Sequence, residues 1–169
     1  MFKSYPIQII KKGKGKNYKI FLKKEKNIIS PWHDIPLFNK NKSLNFICEI
    51  PKWTRKKMEI NKDIKNNPIT QDINKNGSLR EYKWGDMMFN YGAFPQTWEN
   101  PNIIDKNTNS PGDDDPLDAI EIGSRQFKCG QVIEVKVLCI LGMIDEGQTD
   151  WKVIVINTKD PIAKYLDNI

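Results

Sequence analysis

Five carboxylates fall within the ten residues Gly112-Asp113-Asp114-Asp115-Pro116-Leu117-Asp118-Ala119-Ile120-Glu121, in a chain whose net charge is +6. Like charges this close raise one another's pKa and destabilise a fold unless something cationic sits among them. Hard divalent ions such as Mg2+ prefer carboxylate oxygens and keep several waters. Residues 113 and 115 are two apart and share one face of an extended segment. Pro116 removes a backbone donor and bends the exit, which swings Asp118 back toward the same point. Three converging carboxylates make a cation seat with room for a bridging water. The chemistry that suits such a seat is metal-assisted attack on a phosphorylated substrate. A solvated acidic turn uses the same residue types. The twelve-residue calcium loop does not fit, because no Gly and Glu follow at its required positions.

Two further groups mix acid with cation. Asp145-Glu146-Gly147-Gln148-Thr149-Asp150-Trp151-Lys152 reads as a turn between two strands. Asp150 and Lys152 alternate with Trp151 and so share a face. A carboxylate beside an ammonium suits an anionic substrate held partly by metal and partly by lysine. A polar hairpin turn is the plainer alternative. Lys57 and Glu59 repeat the pairing on another strand face, where cross-strand salt bridging is the competing role. Arg80 and Tyr91 add a lone guanidinium and a phenol just before a glycine, and both residue types also serve structural ends.

The elements that must position these residues are short strands. Residues 18–22, 45–50 and 151–156 are β-prone runs, and residues 57–60 alternate polar and apolar. Across residues 131–141 the period is two, so Ile133, Val135, Val137, Cys139 and Leu141 are expected on one face. Gly, Pro and Asn punctuate the runs, which predicts an antiparallel barrel or sandwich. Helical periodicity is weak and confined to the last ten residues. The 169 residues suit one domain with a substantial core. No apolar run approaches the roughly 20 residues that span a bilayer, and residues 1–6 lack a secretory h-region. Cys48, Cys129 and Cys139 are odd in number and lack metal-site spacing, which points to a reducing, cytoplasmic setting. Residues 1–26 carry nine lysines against one acid, Glu25. Arginines are few and the aromatics are not interleaved in the way stacking platforms need, so a solvated face is expected there. The Lys- and Asn-rich residues 61–76 read as a surface loop without chemistry.

The Asp-x-Asp-Pro-x-Asp pattern at 113–118 resembles the signature of the soluble (family I) inorganic pyrophosphatases. The resemblance runs over nearly the whole chain: His33-Asp34-Ile35-Pro36-Leu37, Glu49-Ile50-Pro51-Lys52-Trp53-Thr54, Lys57-x-Glu59, Asn90-Tyr91-Gly92-Ala93-Phe94-Pro95-Gln96-Thr97-Trp98-Glu99 and residues 145–152. The wording is closest to the eukaryotic branch. The resemblance implies a mainly β (α+β) fold, a five-stranded OB-like closed β-barrel with flanking helices, over residues 1–169 as one domain. It implies hydrolysis of pyrophosphate to two orthophosphates by a metal-bound hydroxide, with up to four Mg2+ ions for which Mn2+ can substitute. Carried over by position, Asp113, Asp118 and Asp150 hold the tighter metals, with Asp118 bridging two of them. Asp115 takes the proton from the attacking water and belongs to the metal set. Glu49, Glu59 and Asp145 serve the remaining metal positions. Lys57, Arg80, Tyr91 and Lys152 hold the phosphates. No Ser, Cys or His nucleophile is needed, and His33 is expected to be structural. A homodimer is implied, with Trp53 as an interface aromatic, and neither membrane nor nucleic acid is an expected partner.

Two departures accompany the resemblance. The family's second tyrosine, four residues before the Asn-Tyr-Gly tyrosine, is Met87 here; methionine donates no proton, so protonation of the leaving group is expected from water, or from Tyr82 if its loop reaches. The family continues through a helix bearing a Tyr-Lys pair, so the chain is expected to be C-terminally incomplete relative to it. One rival reading is therefore an impaired fragment that binds metal and phosphate without turnover. Another is an OB-type nucleic-acid-binding module driven by the lysine-rich N-terminus, with salt-dependent affinity.

Overall fold

A computed structural model describes residues 6–166. Lys3 of the basic arm and the last three positions of the C-terminal stretch lie outside them. Ten strands follow in chain order: β1 (Gln8–Lys12), β2 (Lys19–Lys24), β3 (Asn27–Ile29), β4 (Leu44–Ile50), β5 (Met58–Ile60), β6 (Ile69–Gln71), β7 (Asn90–Ala93), β8 (Asp118–Glu121), β9 (Val132–Asp145) and β10 (Gln148–Asn157). Strands β10, β8, β7, β4 and β9 close into the expected five-stranded barrel. Within it β8 and β10 run parallel, while β9–β10, β4–β9, β4–β7 and β7–β8 pair antiparallel. Strands β1, β2, β6 and β5 form an open sheet in that order, with β3 beside β2.

The expected flanking helices are missing from the described residues, whose helical elements are two 3-10 turns, Gly15–Asn17 and Ala163–Tyr165. Pro, Gly and Asn interrupt the stretches between strands before an apolar 3.6-residue period can build. Among the described residues no helix is long and apolar enough to cross a membrane.

Alternation along the strands makes the core. Ile20 and Leu22 of β2, Met58 and Ile60 of β5 and Ile69 of β6 pack with Ile47, Ile50 and Ala93 of the barrel, which seats the open sheet on its flank. Phe46, Cys48, Ala119, Ile133, Val135, Val153 and Val155 form a second cluster contributed by the barrel strands. Lys19 and Lys23 alternate with buried Ile20 and Leu22, so the β2 lysines form the outer face of an ordinary half-buried strand.

Two irregularities depart from simple alternation. The β9–β10 register shifts between Ile154 and Val155, which pair with Cys139 and Val137, so Leu138 is the extra residue. Leu138 turns to a separate cluster with Ile156 and Ala163, and Leu141 is left half exposed. The predicted single face of residues 133–141 therefore ends at Val137. The second irregularity lies in β4, where Cys48 pairs with Gly92 and Ile50 with Tyr91. Glu49 is the extra residue of this bulge, a device that re-aims a side chain beside functional sites. The two strands approach so closely that a Cβ on Gly92 would collide with the Ile47 carbonyl and lie 2.9 Å from the Glu49 nitrogen.

Candidate active site

A cavity of about 220 Å3 opens where β4, β5, β7 and β8 meet, lined by Glu49, Lys57, Glu59, Tyr91, Asp115 and Asp118. Pockets for drug-sized ligands run to about 300–1,000 Å3, so this one suits a small ligand. Asp118 opens β8, in register with Ala93 on one side and Lys152 on the other. Its Oδ2 accepts from both the Tyr91 hydroxyl and the Lys152 ammonium. Lys152 also donates to Asp150 Oδ1, two residues away on the same face of β10, as the alternation predicts. Its ammonium stands 5.4 Å from the centre of the Tyr91 ring. Asp150 is buried, and with Asp113 and Glu99 it forms a triangle of carboxylates, one oxygen from each within 4.8 Å of the others.

The acidic loop is ordered by its own backbone. The Asp115 N–H donates to Asp113 Oδ1 (3.0 Å), so a side-chain-closed bend, and not the expected extended segment, links the two carboxylates. Asp114 has φ of +68° and turns away, accepting the Trp98 indole N–H at 2.9 Å and the Lys62 ammonium at 2.9 Å. Lys62 also reaches Asp115 at 3.1 Å. Glu49, sent inward by the bulge, accepts the Ile60 N–H at 2.6 Å.

The cationic side is built from three linked strand ends. The Lys57 N–H donates to the Arg80 carbonyl, and the Asp72 N–H to the Lys57 carbonyl. Lys57 pairs with Glu59 at 2.7 Å and with Asp72 at 3.4 Å, while Arg80 pairs with Asp72 at 2.9 Å. Arg80 lines a neighbouring open cleft with Asp72, Tyr82 and Glu146 rather than the acidic cavity. Tyr82 is half-buried there, its phenol raised by burial, with Lys57 and Asp118 the charges it feels next. Met87 packs against the core cluster that also holds Tyr82 and Tyr91. Asp145 is exposed at the end of the β9–β10 hairpin, opposite Gln148 and two register steps from the Asp150–Met143 pair. The structure therefore gathers Glu49, Lys57, Glu59, Tyr91, Asp113, Asp115, Asp118, Asp150 and Lys152, sets Arg80 at the side, and leaves Asp145 apart.

Crowding and burial dominate the electrostatics. Burial lifts Asp118 to about 6 against the pull of Lys152 and Tyr91. Burial lifts Glu99 to about 8; the Trp151 N–H opposes it, and the Asp113 and Asp150 charges add to it. Glu49 is raised well above the carboxylate range by burial and then by Asp118. Asp113 is raised by burial, with Asp115 and Asp150 contributing. Burial works against the Lys152 and Lys57 ammoniums, but Asp118 and Glu59 respectively outweigh it and raise both.

Such a donor set, all hard oxygens in a partly dehydrated cavity, fits a divalent cation of the Mg2+ type. Stability should then depend on pH and metal together. These four carboxyls hold their protons to higher pH in the fold than in the unfolded chain, where carboxylates titrate near 4. Their contribution is complete below about pH 4 and is lost as pH rises through 6 for Asp118 and 8 for Glu99. In chelator, the urea midpoint is expected to fall steadily from pH 5 to pH 8.5, and millimolar Mg2+ should flatten the decline. A midpoint that rises over that range in chelator would contradict this electrostatic picture.

Three residues of the site escaped the sequence reading. Asp72 and Lys62 sit in the Lys- and Asn-rich stretch read as chemically silent, which the ion pairs to Arg80, Lys57, Asp114 and Asp115 correct. Glu99 was visible only as the last residue of the Asn90–Glu99 block, where an acid at the end of an apolar run is the available signal.

The model of the inorganic pyrophosphatase family matches residues 46–169. The chain belongs to the inorganic pyrophosphatase family. An inorganic pyrophosphatase of Candida albicans is 46% identical over 172 residues, covering 98% of this chain and 59% of that protein. A solved inorganic pyrophosphatase from T. brucei brucei shares 46% identity at a TM-score of 0.90, with 99% of this chain and 55% of that one covered. The N-terminally truncated vacuolar soluble pyrophosphatase of Trypanosoma cruzi, solved in complex with PPi, matches at 46% identity and TM-score 0.90, covering 99% and 71%. The chain thus spans about half the length of the curated relatives it matches, 59% of the Candida albicans protein and 54% of the inorganic pyrophosphatase of Bos taurus.

Proposed function

We propose that this chain hydrolyses pyrophosphate to two orthophosphates with Mg2+ as its cofactor. One observation carries the reading: carboxylates and two phosphate-type donors, Lys57 and Tyr91, line one small cavity in a chain of this family, and a third, Lys152, is bonded to its Asp118. A cavity lined by acids alone would repel an anion, and one lined by cations alone would not take metal. Asp113, Asp118 and Asp150 are the residues to hold the tighter ions, with Glu49 and Glu59, and Asp145 from the hairpin end, serving the rest. When bound, Mg2+ cancels substrate charge and lowers the pKa of water from 15.7 toward about 7. Asp115, at the exposed mouth of the cavity, takes the proton of the attacking water. Lys57 and Lys152 neutralise phosphate oxygens, and the Tyr91 hydroxyl, kept protonated by burial and the Asp118 charge, donates to them. Arg80, held beside Lys57 by Asp72, covers the outer phosphate. Phosphoryl transfer asks for little beyond this positioning and charge compensation. A cytoplasmic setting fits three free cysteines, and a homodimer closing on Trp53, 59% exposed, completes the reading.

Methylenediphosphonate, a pyrophosphate isostere that cannot be hydrolysed, tests the recognition step. Calorimetry should show it binding with Mg2+ present and not in chelator. Equal binding in both conditions, or none in either, would overturn the metal-assisted reading.

A further inference from the structure

Glu99 is 9% exposed, and its Oε2 is the one buried side-chain polar atom without a hydrogen-bond partner among the described residues. An orphaned buried acceptor costs about 1–3 kcal/mol, more when charged. The oxygen is also held in place. Glu99 Oε1 accepts the Trp151 N–H at 3.0 Å, which leaves Oε2 as its free oxygen. The Glu99 backbone N–H donates to the Asp115 carbonyl at 2.9 Å, and its carbonyl accepts the Asp114 N–H at 2.9 Å. The residue is therefore tied to β10 through one oxygen and to the acidic loop through its backbone, so it keeps its place relative to both Asp150 and Asp113. One carboxylate oxygen from each of the three lies within 4.8 Å of the others. Around an ion with oxygens at 2.0–2.1 Å, octahedral ligands stand about 3 Å apart when adjacent and about 4 Å apart when opposite, so a triangle bounded by 4.8 Å closes on such an ion with side-chain shifts of under about 1 Å.

We propose that Glu99 is a direct cation ligand, its free Oε2 completing a three-carboxylate seat with Asp113 and Asp150. The proposal rests on the reading of this pocket as a divalent-cation site and adds to it a ligand that the acidic motif does not contain. It explains why a buried glutamate keeps one oxygen unpaired while its other oxygen and its backbone are fully engaged. A cation seated there satisfies Oε2 and offsets three converging negative charges together.

Mn2+ binding to the whole chain, followed by calorimetry and by the paramagnetic signal of the free ion, tests it. Glu99→Gln keeps the acceptor for the Trp151 N–H and has the shape of a neutral glutamic acid. Loss of a direct anionic ligand should weaken the tightest Mn2+ site by more than the roughly 10- to 100-fold that changing an outer-shell group costs, and a loss within that range would make Glu99 an outer-shell group and overturn the direct assignment. Asp113→Asn is run in parallel. If Asp113→Asn weakens Mn2+ and Glu99→Gln binds like the unsubstituted chain, Glu99 is only a buried neutral acid and the inference fails. If neither substitution changes Mn2+ affinity, the metal reading of the pocket fails with it. A measurement on the unsubstituted chain guards against misfolding of the variant: the 13C carboxyl resonance of Glu99 should move on adding Mg2+, and an unmoved resonance also overturns the proposal.

Discussion

Asp118→Asn is expected to lower Mg2+-dependent phosphate release from pyrophosphate by about 10²- to 10³-fold, the scale of losing one preorganised charge-stabilising group, without destabilising the fold. Asp118 stands where the barrel brings most together: Tyr91 and Lys152 both donate to its Oδ2, and Asp150 shares the same ammonium. Burial lifts its carboxyl to about 6, so at pH 8 the metal-free fold carries this charge at a cost. Asparagine has the same shape, keeps an acceptor for the Tyr91 hydroxyl, and removes that charge. Lys152 retains Asp150 as its partner. Activity and stability should therefore separate, with turnover lost and the urea midpoint in chelator at pH 8 unchanged or raised. Near-normal turnover would remove Asp118 from the metal set. A midpoint that falls along with activity would make the residue structural instead.

Asn90→Ala should have the largest effect on stability, about 3–5 kcal/mol, because a fully buried side chain with four hydrogen bonds is lost. Asn90 is 0% exposed. Its Oδ1 accepts from the Lys52 N–H at 3.0 Å and the Phe127 N–H at 3.1 Å. Its Nδ2 donates to Glu121 Oε2 at 2.8 Å and to the Arg125 carbonyl at 2.8 Å. Glu121, also 0% exposed, takes the Gly123 and Asn157 N–H groups on its other oxygen. Truncation at residue 90 strands three buried groups, one of them a carboxylate, breaks the half-buried bond to the Arg125 carbonyl and leaves a cavity. Domains of this size hold only about 5–15 kcal/mol in all. The same linkage joins β7, which carries Tyr91, to β8, which carries Asp118, so the loss should spread to the site. Equilibrium urea unfolding measures it, and a change below about 1 kcal/mol would mean that the Asn90–Glu121 network is dispensable.

What the sequence made legible followed local rules. The Lys57–Glu59 and Asp150–Lys152 pairs depend on two-residue periodicity, and β5 with the residue leading into it and β10 carry them as expected. Asp113 and Asp115 are brought together instead by a bend, with Asp114 in the left-handed region. The closed barrel was legible through the resemblance and the short β-prone runs. What stayed hidden was set by tertiary approach. A bulge is a mismatch between two strands, so the inward turn of Glu49 and the outward turn of Leu138 have no signature in either strand alone. Asp72 earns its place by meeting Lys57 and Arg80 from a third segment, and Lys62 by crossing to Asp114 and Asp115. Asp145 lies at an exposed hairpin end, two register steps from the Asp150–Met143 pair, a placement its motif position does not reveal. The flanking helices came from the resemblance and not from periodicity, and the described residues follow the periodicity.

The central claim is that this chain's carboxylates and lysines act together on pyrophosphate. Phosphate release from pyrophosphate, measured with millimolar Mg2+ and again in excess chelator, tests it most directly. Two orthophosphates per pyrophosphate should form with Mg2+, and release in chelator should fall to the protein-free rate. Release that stays at the protein-free rate with Mg2+ present would contradict the claim and leave a pocket that binds without turning over.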